Sequence, residues 1–176
     1  MEGVIEEAQF TYGEGPCVDA ARHSAPVHEP DLAGSGLIRW PIFAARAVEA
    51  GVAAVFALPL QVGATYLGAM NFYRDRPGPL SHQQITDVLA IAELVAHGVI
   101  GLQAAAPPGA LAPALADVPF RAQVHQATGM ISAQLDVGMA EALVRLRGVA
   151  YTEDRPIDEV AGRVLTGTLR FDDQPD

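Results

Sequence analysis

The chemically most reactive side chains of this chain are its one cysteine and its histidines. Cys17 has no second thiol with which to exchange a disulfide or to build a zinc cluster. The histidines lack the i, i+4 spacing that places two metal ligands on one helix face. They are scattered at His23, His28, His82, His97 and His125. We therefore predict no metal site, no cofactor and no catalysis by Cys17, whose simplest role is that of a small apolar side chain.

Two pairs of neighbouring carboxylates complete the set of residues that can act as acids or bases. Glu153-Asp154 is predicted at a helix end and Asp172-Asp173 in an acidic tail, where such pairs ordinarily serve to keep the chain solvated. Neither pair resembles a general acid and base placed about one substrate. We predict that the protein is not an enzyme.

A glycine-rich turn precedes the first clear helical pattern. Gly13-Glu14-Gly15-Pro16 places two glycines ahead of a helix N-terminus, an arrangement that can cradle a phosphate. The segment lacks the lysine and hydroxyl of a P-loop and the third glycine of a dinucleotide fingerprint. A structural turn is therefore the favoured interpretation.

The charge and composition of the chain exclude several classes of protein. Its 176 residues carry a formal charge of −10 and half of them are apolar, so the chain can fill a core but is too acidic for indiscriminate binding to nucleic acid or acidic membranes. The longest uncharged stretch, Leu94 to Ala116, contains Pro107 and Pro108, which a membrane span tolerates poorly. Met1 to Glu7 has three glutamates and no basic residue, unlike a secretory leader. We expect a cytoplasmic protein with no membrane partner.

The first hundred residues are predicted to combine short helices with antiparallel strands. The alternating apolar pattern and the turn residues between its two halves indicate a hairpin in a buried sheet. The predicted elements are a strand end at Glu7 to Tyr12, a helix at Cys17 to His23, an extended segment at Pro26 to Pro30, a helix at Trp40 to Ala50 capped by Gly51, and strands at Val52 to Val62 and Tyr66 to Tyr73 joined by Gly63-Ala64.

A long helix is predicted after these strands, because Ser81 and Gln84 have the spacing of a capping box. Its main apolar stripe consists of Ile85, Val88, Leu89, Ala92, Val95, Ala96, Val99 and Leu102. A second apolar flank, which includes Ile91 and Leu94, exceeds what one sheet can cover. We expect this flank to contact a second copy of the protein.

A segment rich in alanine and proline, residues 104–119, is predicted to link this part to a compact bundle of three helices. The helical patterns run from Phe120 to Leu135, from Met139 to about Glu153 and from Pro156 to about Leu169. Acids and arginines are about balanced from Phe120 to Phe171, whereas acids predominate before the linker. Any contact with nucleic acid is therefore expected in the bundle. Its predicted core is Val124, Ala127, Ile131, Leu135, Leu143, Leu146, Val149, Ala150, Ile157, Val160, Ala161, Val164 and Leu165.

The first part of the chain resembles the GAF domains of actinobacterial GAF-ANTAR regulators. The matching residues are Gly13-Glu14-Gly15-Pro16-Cys17-Val18-Asp19-Ala20, Phe56-Ala57-Leu58-Pro59-Leu60 and Leu67-Gly68-Ala69. The resemblance implies a sensor domain over residues 1–103 with a possible small-molecule ligand between the sheet and its covering loops. A complete GAF domain begins with a helix and two strands ahead of the glycine motif, so we expect an N-terminally incomplete sheet and no useful affinity for cyclic nucleotides.

The last part resembles ANTAR domains, which bind paired RNA stem-loops and prevent transcription termination. The matching residues are Val124 to Met130, Ala140-Glu141-Ala142, Leu146-Arg147, Ala150 and Val160-Ala161. The resemblance implies an ANTAR-like domain over residues 120–171, followed by an acidic tail at 172–176. This chain has Thr128 where the family has a lysine, His125 where it has an acidic residue, and Gly138 where it has a serine or threonine cap.

The residues predicted to contact RNA combine this resemblance with a collection of arginines. Arginine suits phosphates and planar side chains read loop bases, while Gly129 permits close backbone approach to RNA or to a neighbouring helix. The predicted contacts are Gln126, Thr128, Gly129, Arg145, Arg147 and Arg155, with Arg121 and Arg163 on the adjacent helices.

These observations together predict an α+β protein: a partial GAF-like antiparallel sheet with helices, followed by an all-α three-helix ANTAR bundle. The expected function is that of a homodimeric antitermination regulator that binds RNA stem-loops and not duplex DNA. The alternative is a dimerisation or protein-interaction module that no longer binds RNA, because Thr128 replaces the family lysine.

Overall fold

The computed structural model describes residues 2–105 and 118–171, and the chain divides into two compact units, residues 1–105 and 106–176. Within the described ranges the protein is mixed α and β, with eight helices, a π-helical turn and one three-stranded antiparallel sheet. The first unit comprises α1 (Glu2–Tyr12), α2 (Pro16–His23), β1 (Val27–Glu29), the π-helical turn (Leu32–Gly36), α3 (Leu37–Arg39), α4 (Pro41–Glu49), β2 (Ala54–Val62), β3 (Thr65–Arg74) and α5 (His82–Ala105); the second comprises α6 (Val118–Leu135), α7 (Met139–Thr152) and α8 (Ile157–Leu165).

The segment ahead of the glycine turn is the helix α1, so the strand end predicted for Glu7 to Tyr12 is wrong. The buried residues Ile5, Ala8 and Gln9 recur at i, i+3 and i+4, which places them on one helix face. The prediction failed because the aromatic and β-branched residues at the end of this segment favour a strand locally, whereas tertiary burial follows the helical period.

The glycine turn is built to join α1 to α2. Gly15 has a φ of 127°, and a Cβ atom there would lie 2.7 Å from the Cγ atom of Gln9. The side chain of Gln9 fills this space, and its Oε1 atom accepts a hydrogen bond of 2.8 Å from the backbone N–H of Cys17. A first-turn donor of α2 is therefore satisfied within the protein, which supports the structural interpretation of the turn.

Glu14, between the two turn glycines, caps the distant helix α4. Its Oε1 atom accepts hydrogen bonds from the backbone N–H groups of Ile42, at 2.6 Å, and Phe43, at 2.8 Å. These are first-turn donors without an intrahelical partner. The helix predicted at Trp40 to Ala50 is confirmed, and Gly51, with a φ of 86°, follows its end.

The sheet has the order β1-β2-β3, and the predicted hairpin is confirmed with Gly63 in its turn at a φ of 58°. Val27 pairs with Ala57, and Glu29 pairs with Val55. These central residues point toward the main core of the first unit, which the helices before β2 cover. The core consists of Ile5, Ala8, Ala20, Val27, Leu32, Trp40, Phe43, Ala44, Ala47, Val52, Val55 and Ala57.

The capping box predicted for the long helix is confirmed in both directions. The backbone N–H of Ser81 donates to Oε1 of Gln84 over 2.9 Å, and the backbone N–H of Gln84 donates to Oγ of Ser81 over 3.2 Å. The helix α5 packs against β2, and its buried residues are Ala92 and Ala96. Small side chains therefore make the contact with the sheet, while most of the larger ones stay at least partly exposed.

The second unit contains the three predicted helices with short connections. The third ends at Leu165, earlier than the predicted Leu169, because Gly167 adopts a φ of 73° and the backbone N–H of Thr168 donates to the carbonyl of Arg163. Of the predicted core, Leu135, Leu143, Val149 and Leu165 are half-buried. The remaining predicted core residues are fully buried: Val124, Ala127, Ile131, Leu146, Ala150, Ile157, Val160, Ala161 and Val164.

A candidate nucleic-acid interface on the three-helix unit

Thr128, predicted to contact RNA, lies inside the bundle. It is 2% exposed, and its Oγ1 atom donates a hydrogen bond of 2.6 Å to the carbonyl of Val124, one helical turn earlier. Its position follows the same i, i+3, i+4, i+7 pattern as Val124, Ala127 and Ile131, which are fully buried. The prediction placed Thr128 on the RNA-binding surface, and its burial removes it from that surface.

Gln126 and Gly129 are both accessible on α6, unlike Thr128. Gln126 is exposed and lies about 200° around α6 from the buried Val124. Gly129 is half-buried, and a Cβ atom there would meet no atom within 4 Å among the described residues. Packing against a neighbouring helix therefore does not require this glycine, and the space beside it is open.

Arg145 and Arg147 do not share a surface. They are two positions apart in the helix, which corresponds to about 200° of rotation, so they project from opposite flanks of α7. Arg145 is exposed and forms an ion pair of 2.9 Å with Glu141, one turn earlier. Arg147 is half-buried, and this burial lowers the pKa of its guanidinium below the usual value. The two arginines cannot contact the same phosphate group.

A second group of charges surrounds the junction of α7 and α8. Arg155 lies 3.6 Å from Oε2 of Glu153 and is also paired with Glu159, and Arg163 is paired with the same Oε2 atom of Glu153. All four side chains are at least 32% exposed, so these ion pairs are weak and exchangeable. The side chain of Arg121 lies outside the described residues, as do residues 106–117 of the predicted linker and the tail at 172–176.

Beside Arg145 the surface of α7 opens into a groove that was not predicted from the sequence. We call it the α7 groove; it is lined by Arg145, Gly148, Val149, Thr152, Glu153 and Phe171 and has a volume of about 350 Å³. The first four occupy i, i+3, i+4 and i+7 on one flank of the helix. Phe171 is 6% exposed, and its backbone N–H donates to Oε1 of Gln134 over 3.1 Å.

Two features of the sequence are, in retrospect, signals of this groove. Gly148 is an exposed glycine in the interior of a helix, where alanine is more stable, and a Cβ atom there would meet no atom of residues 2–105 or 118–171 within 4 Å. Phe171 is an aromatic residue beyond the last helix, followed at once by acidic residues. Neither feature reveals by itself that the two residues line one concave surface.

The outer surface of α5 is the main exposed apolar surface of the first unit. Leu94 is 74% exposed, Leu102 67% and Ile91 44%. By length and composition alone, α5 is also a candidate membrane span, with a mean hydropathy of 1.7 and 11% of its most apolar window buried. Asp87 and Glu93 on the same helix favour an interface in water, because charged side chains are costly in a bilayer.

In residues 2–105 and 118–171 no three histidine, cysteine or carboxylate side chains come together as metal ligands. No family model, no curated protein and no solved structure matches this chain.

Proposed function

We propose that the three-helix unit binds RNA stem-loops and that the protein is a homodimeric transcription antitermination regulator, with the first unit as a GAF-type sensory and dimerisation module. The proposal combines the resemblance to GAF-ANTAR regulators with the surface of α6 and α7. The observation that carries it is the position of Arg145, an exposed cation at the rim of an open groove.

The distribution of charge limits an RNA site to the arginines of the bundle helices. The second unit, residues 106–176, contains six arginines and ten acidic residues, so its formal charge is −4, and the first unit carries the remaining −6. Arginines and acids balance only within residues 118–171, so a polyanion is repelled less there than by the segments on either side. Few phosphate contacts are available, so specificity has to come from the loops.

The ion pairs on this surface are compatible with phosphate binding. Arg145 is paired with the exposed Glu141 on α7, and Arg155 is paired with the exposed Glu159 on α8. Exposed pairs of this kind contribute about 0–1 kcal/mol to stability, so a phosphate can replace the carboxylate at little cost. The guanidinium group then binds two phosphate oxygens at once.

The exposed apolar residues of α5 support the proposed dimerisation. Ile91, Leu94 and Leu102 recur at spacings of three and eight residues, which places them on one side of the helix. A second copy of α5 covers this stripe in our proposal. Two bundles in one dimer then hold two hairpin loops, and the bound RNA cannot form a terminator.

The second candidate is an interaction or dimerisation module that does not bind RNA. The exposed apolar stripe of α5 favours it, since this stripe requires a partner whether or not the bundle contacts RNA. The two candidates differ in what the second unit binds.

A mobility-shift titration separates the candidates. The full chain is titrated with tandem hairpins that share one stem and carry randomised loops, with an unstructured RNA of equal length and with duplex DNA, each at two salt concentrations. We expect selected hairpins to bind more tightly than both competitors, with an affinity that falls shallowly as salt rises. Equal binding of hairpins and unstructured RNA would contradict the proposed function and favour the interaction module.

A further inference from the structure

We propose that the outer edge of β3, from Gly68 to Phe72, pairs with the same edge of a second copy of the chain, so that two three-stranded sheets form one sheet of six strands. We call this segment the β3 edge. The contact is distinct from the stripe on α5 and requires no RNA, so it goes beyond the proposed function. It rests on the position of β3 in the sheet, on the sequence of β3 and on the fit between two copies of the β3 edge.

The β3 edge forms one border of the sheet. In the order β1-β2-β3, no strand of residues 2–105 or 118–171 lies on the outer side of β3. Pro59 of β2 shows which backbone groups face that side. It has no N–H and pairs with Ala69, which indicates a pair without mutual hydrogen bonds. The N–H and C=O groups of Ala69 and, by alternation, those of Asn71 therefore point away from β2.

The sequence of β3 lacks the features that ordinarily protect an edge strand. Such strands carry lysine, proline or an inward-pointing charge, which discourage pairing with another chain. Residues 65–73 contain no proline and no charged residue. A bulge with Leu67 as its extra residue is present, but it lies ahead of the β3 edge. The edge itself is therefore regular and open to pairing.

The side chains of β3 are less well covered than those of the strand beside it. Phe56 and Leu58 of β2 are each 1% exposed, on the face of the sheet where α5 packs. Their partners on β3, Phe72 and Met70, are only half-buried. A further strand beside β3 covers both side chains, and this burial of apolar surface favours pairing.

The β3 edge is complementary to itself in an antiparallel pairing centred on Met70. Met70 then lies opposite Met70 of the second copy, and Gly68 lies opposite Phe72 of the second copy. A large ring covers a glycine in each of these two symmetric pairs, an arrangement that stabilises glycine in a strand. Ala69 exchanges both backbone hydrogen bonds with Asn71 of the second copy, because the groups of both residues point outward. This register therefore satisfies the outward groups of both copies.

The composition of the chain also favours a second copy as the neighbour. Residues 1, 106–117 and 172–176 contain four prolines and no valine, isoleucine or threonine, so their sequence is unsuited to a strand at this position. The β3 edge is uncharged, so two copies meet there without repulsion between directly opposed charges. A pairing of this length is marginal by itself, so it adds to the α5 contact and is populated at high protein concentration.

Opposite charges at Met70 test this pairing. Met70→Glu and Met70→Lys each place two like charges at the centre of the contact, so each variant alone should lose association through the β3 edge. An equimolar mixture of the two variants should regain it, because a carboxylate then lies opposite an ammonium group. Sedimentation velocity of the 176-residue chain over rising concentration measures the association, and circular dichroism checks that each variant is folded.

Substitution of Asn71 tests the hydrogen bonds separately. Asn71→Pro removes an outward N–H and leaves the bonds to β2 in place, so it should abolish the association. Asn71→Val is the matched control, because it changes the same side chain but keeps the N–H. In the wild-type chain, the amide hydrogens of Ala69 and Asn71 should exchange roughly tenfold more slowly in concentrated than in dilute solution, whereas that of Met70 should not change.

Three outcomes would overturn the proposal. A mixture of the Met70 variants that associates no better than either alone excludes the pairing centred on this residue. Association that persists in Asn71→Pro shows a contact that does not use the strand edge. Wild-type protein that stays at the mass of a dimer at every concentration excludes a second copy and leaves the edge to a strand of another protein. None of these measurements involves RNA, so their failure leaves the proposed function untouched.

Discussion

Arg145 and Arg147 project from opposite flanks of α7, about 200° apart around the helix, although only one residue separates them in the chain. The α7 groove opens on the flank of Arg145, and Arg147 is half-buried on the other. We therefore propose different roles for the two residues: Arg145 binds phosphate, and the aliphatic part of Arg147 packs against the bundle.

Substituting each arginine in turn tests this division. Arg145→Ala should weaken binding to all hairpins by similar factors and reduce the slope of log affinity against log salt by about one, because one phosphate contact is lost. Arg147→Ala should leave that slope unchanged and lower the melting temperature more than Arg145→Ala does. Mobility shifts at several salt concentrations and thermal unfolding measure the two effects. Arg22→Ala, an exposed arginine of the first unit, is the control.

An unchanged salt slope in Arg145→Ala would show that this guanidinium does not contact phosphate. A reduced slope in Arg147→Ala would place the RNA on the opposite flank of α7. Either result would require a different binding surface.

Gly129→Ala should stabilise the protein while weakening its binding to RNA. Alanine in the interior of α6 removes the entropic cost of glycine, about 1 kcal/mol, and its methyl group meets no atom within 4 Å in the part of the chain that the structure describes. The same methyl group obstructs close approach of RNA to the helix backbone. Gly162→Ala on α8 is the control, which should gain stability without loss of affinity. Denaturant unfolding measures the stability of each variant, and mobility shifts measure its affinity for RNA. Full affinity in Gly129→Ala would show that this residue does not contact RNA.

The stripe on α5 should determine the oligomeric state. Changing Ile91 and Leu94 together to glutamate places two charges in the proposed helix contact and should yield a monomer in light scattering. The control is Thr86→Glu with His97→Glu, which adds the same charges to the polar flank of the same helix and should leave the dimer intact. A double variant at Ile91 and Leu94 that remains dimeric would disprove this interface, and wild-type protein that floats with lipid vesicles would identify α5 as a membrane contact.

The stability of the first unit should depend on Glu14. Glu14→Ala leaves two first-turn N–H groups of α4 without their charged acceptor and should lower the free energy of unfolding by about 2 kcal/mol. Glu49→Ala removes an exposed ion pair with Arg46 and should change the free energy of unfolding by less than about 1 kcal/mol. The fluorescence of Trp40, the single tryptophan and a core residue of this unit, reports the transition. Equal midpoints in the two variants would show that the cap contributes little.

Local signals in the sequence were sufficient to predict most elements. The capping box of Ser81 and Gln84 and the left-handed Gly51 involve residues a few positions apart, so the sequence displays them directly. The apolar period of the bundle also predicted which residues are buried, because three short-linked helices have few ways to bury their stripes.

Features that depend on distant residues were not predictable. Glu14 caps a helix that begins almost thirty residues later, and the α7 groove needs Phe171 beside a helix that ends at Thr152. Thr128 is a different case: its spacing from Val124 already indicated burial, but its polarity and its position in the ANTAR-like motif favoured the surface.

Crosslinking of a bound hairpin tests the central proposal most directly. The 176-residue chain is irradiated with the best selected hairpin, and the crosslinked peptides are identified by mass spectrometry. We predict crosslinks in the peptides that contain Gln126 and Gly148 to Thr152. Crosslinks confined to residues 2–105, or no more crosslinking than an unstructured RNA of equal length gives, would contradict RNA recognition by the three-helix unit.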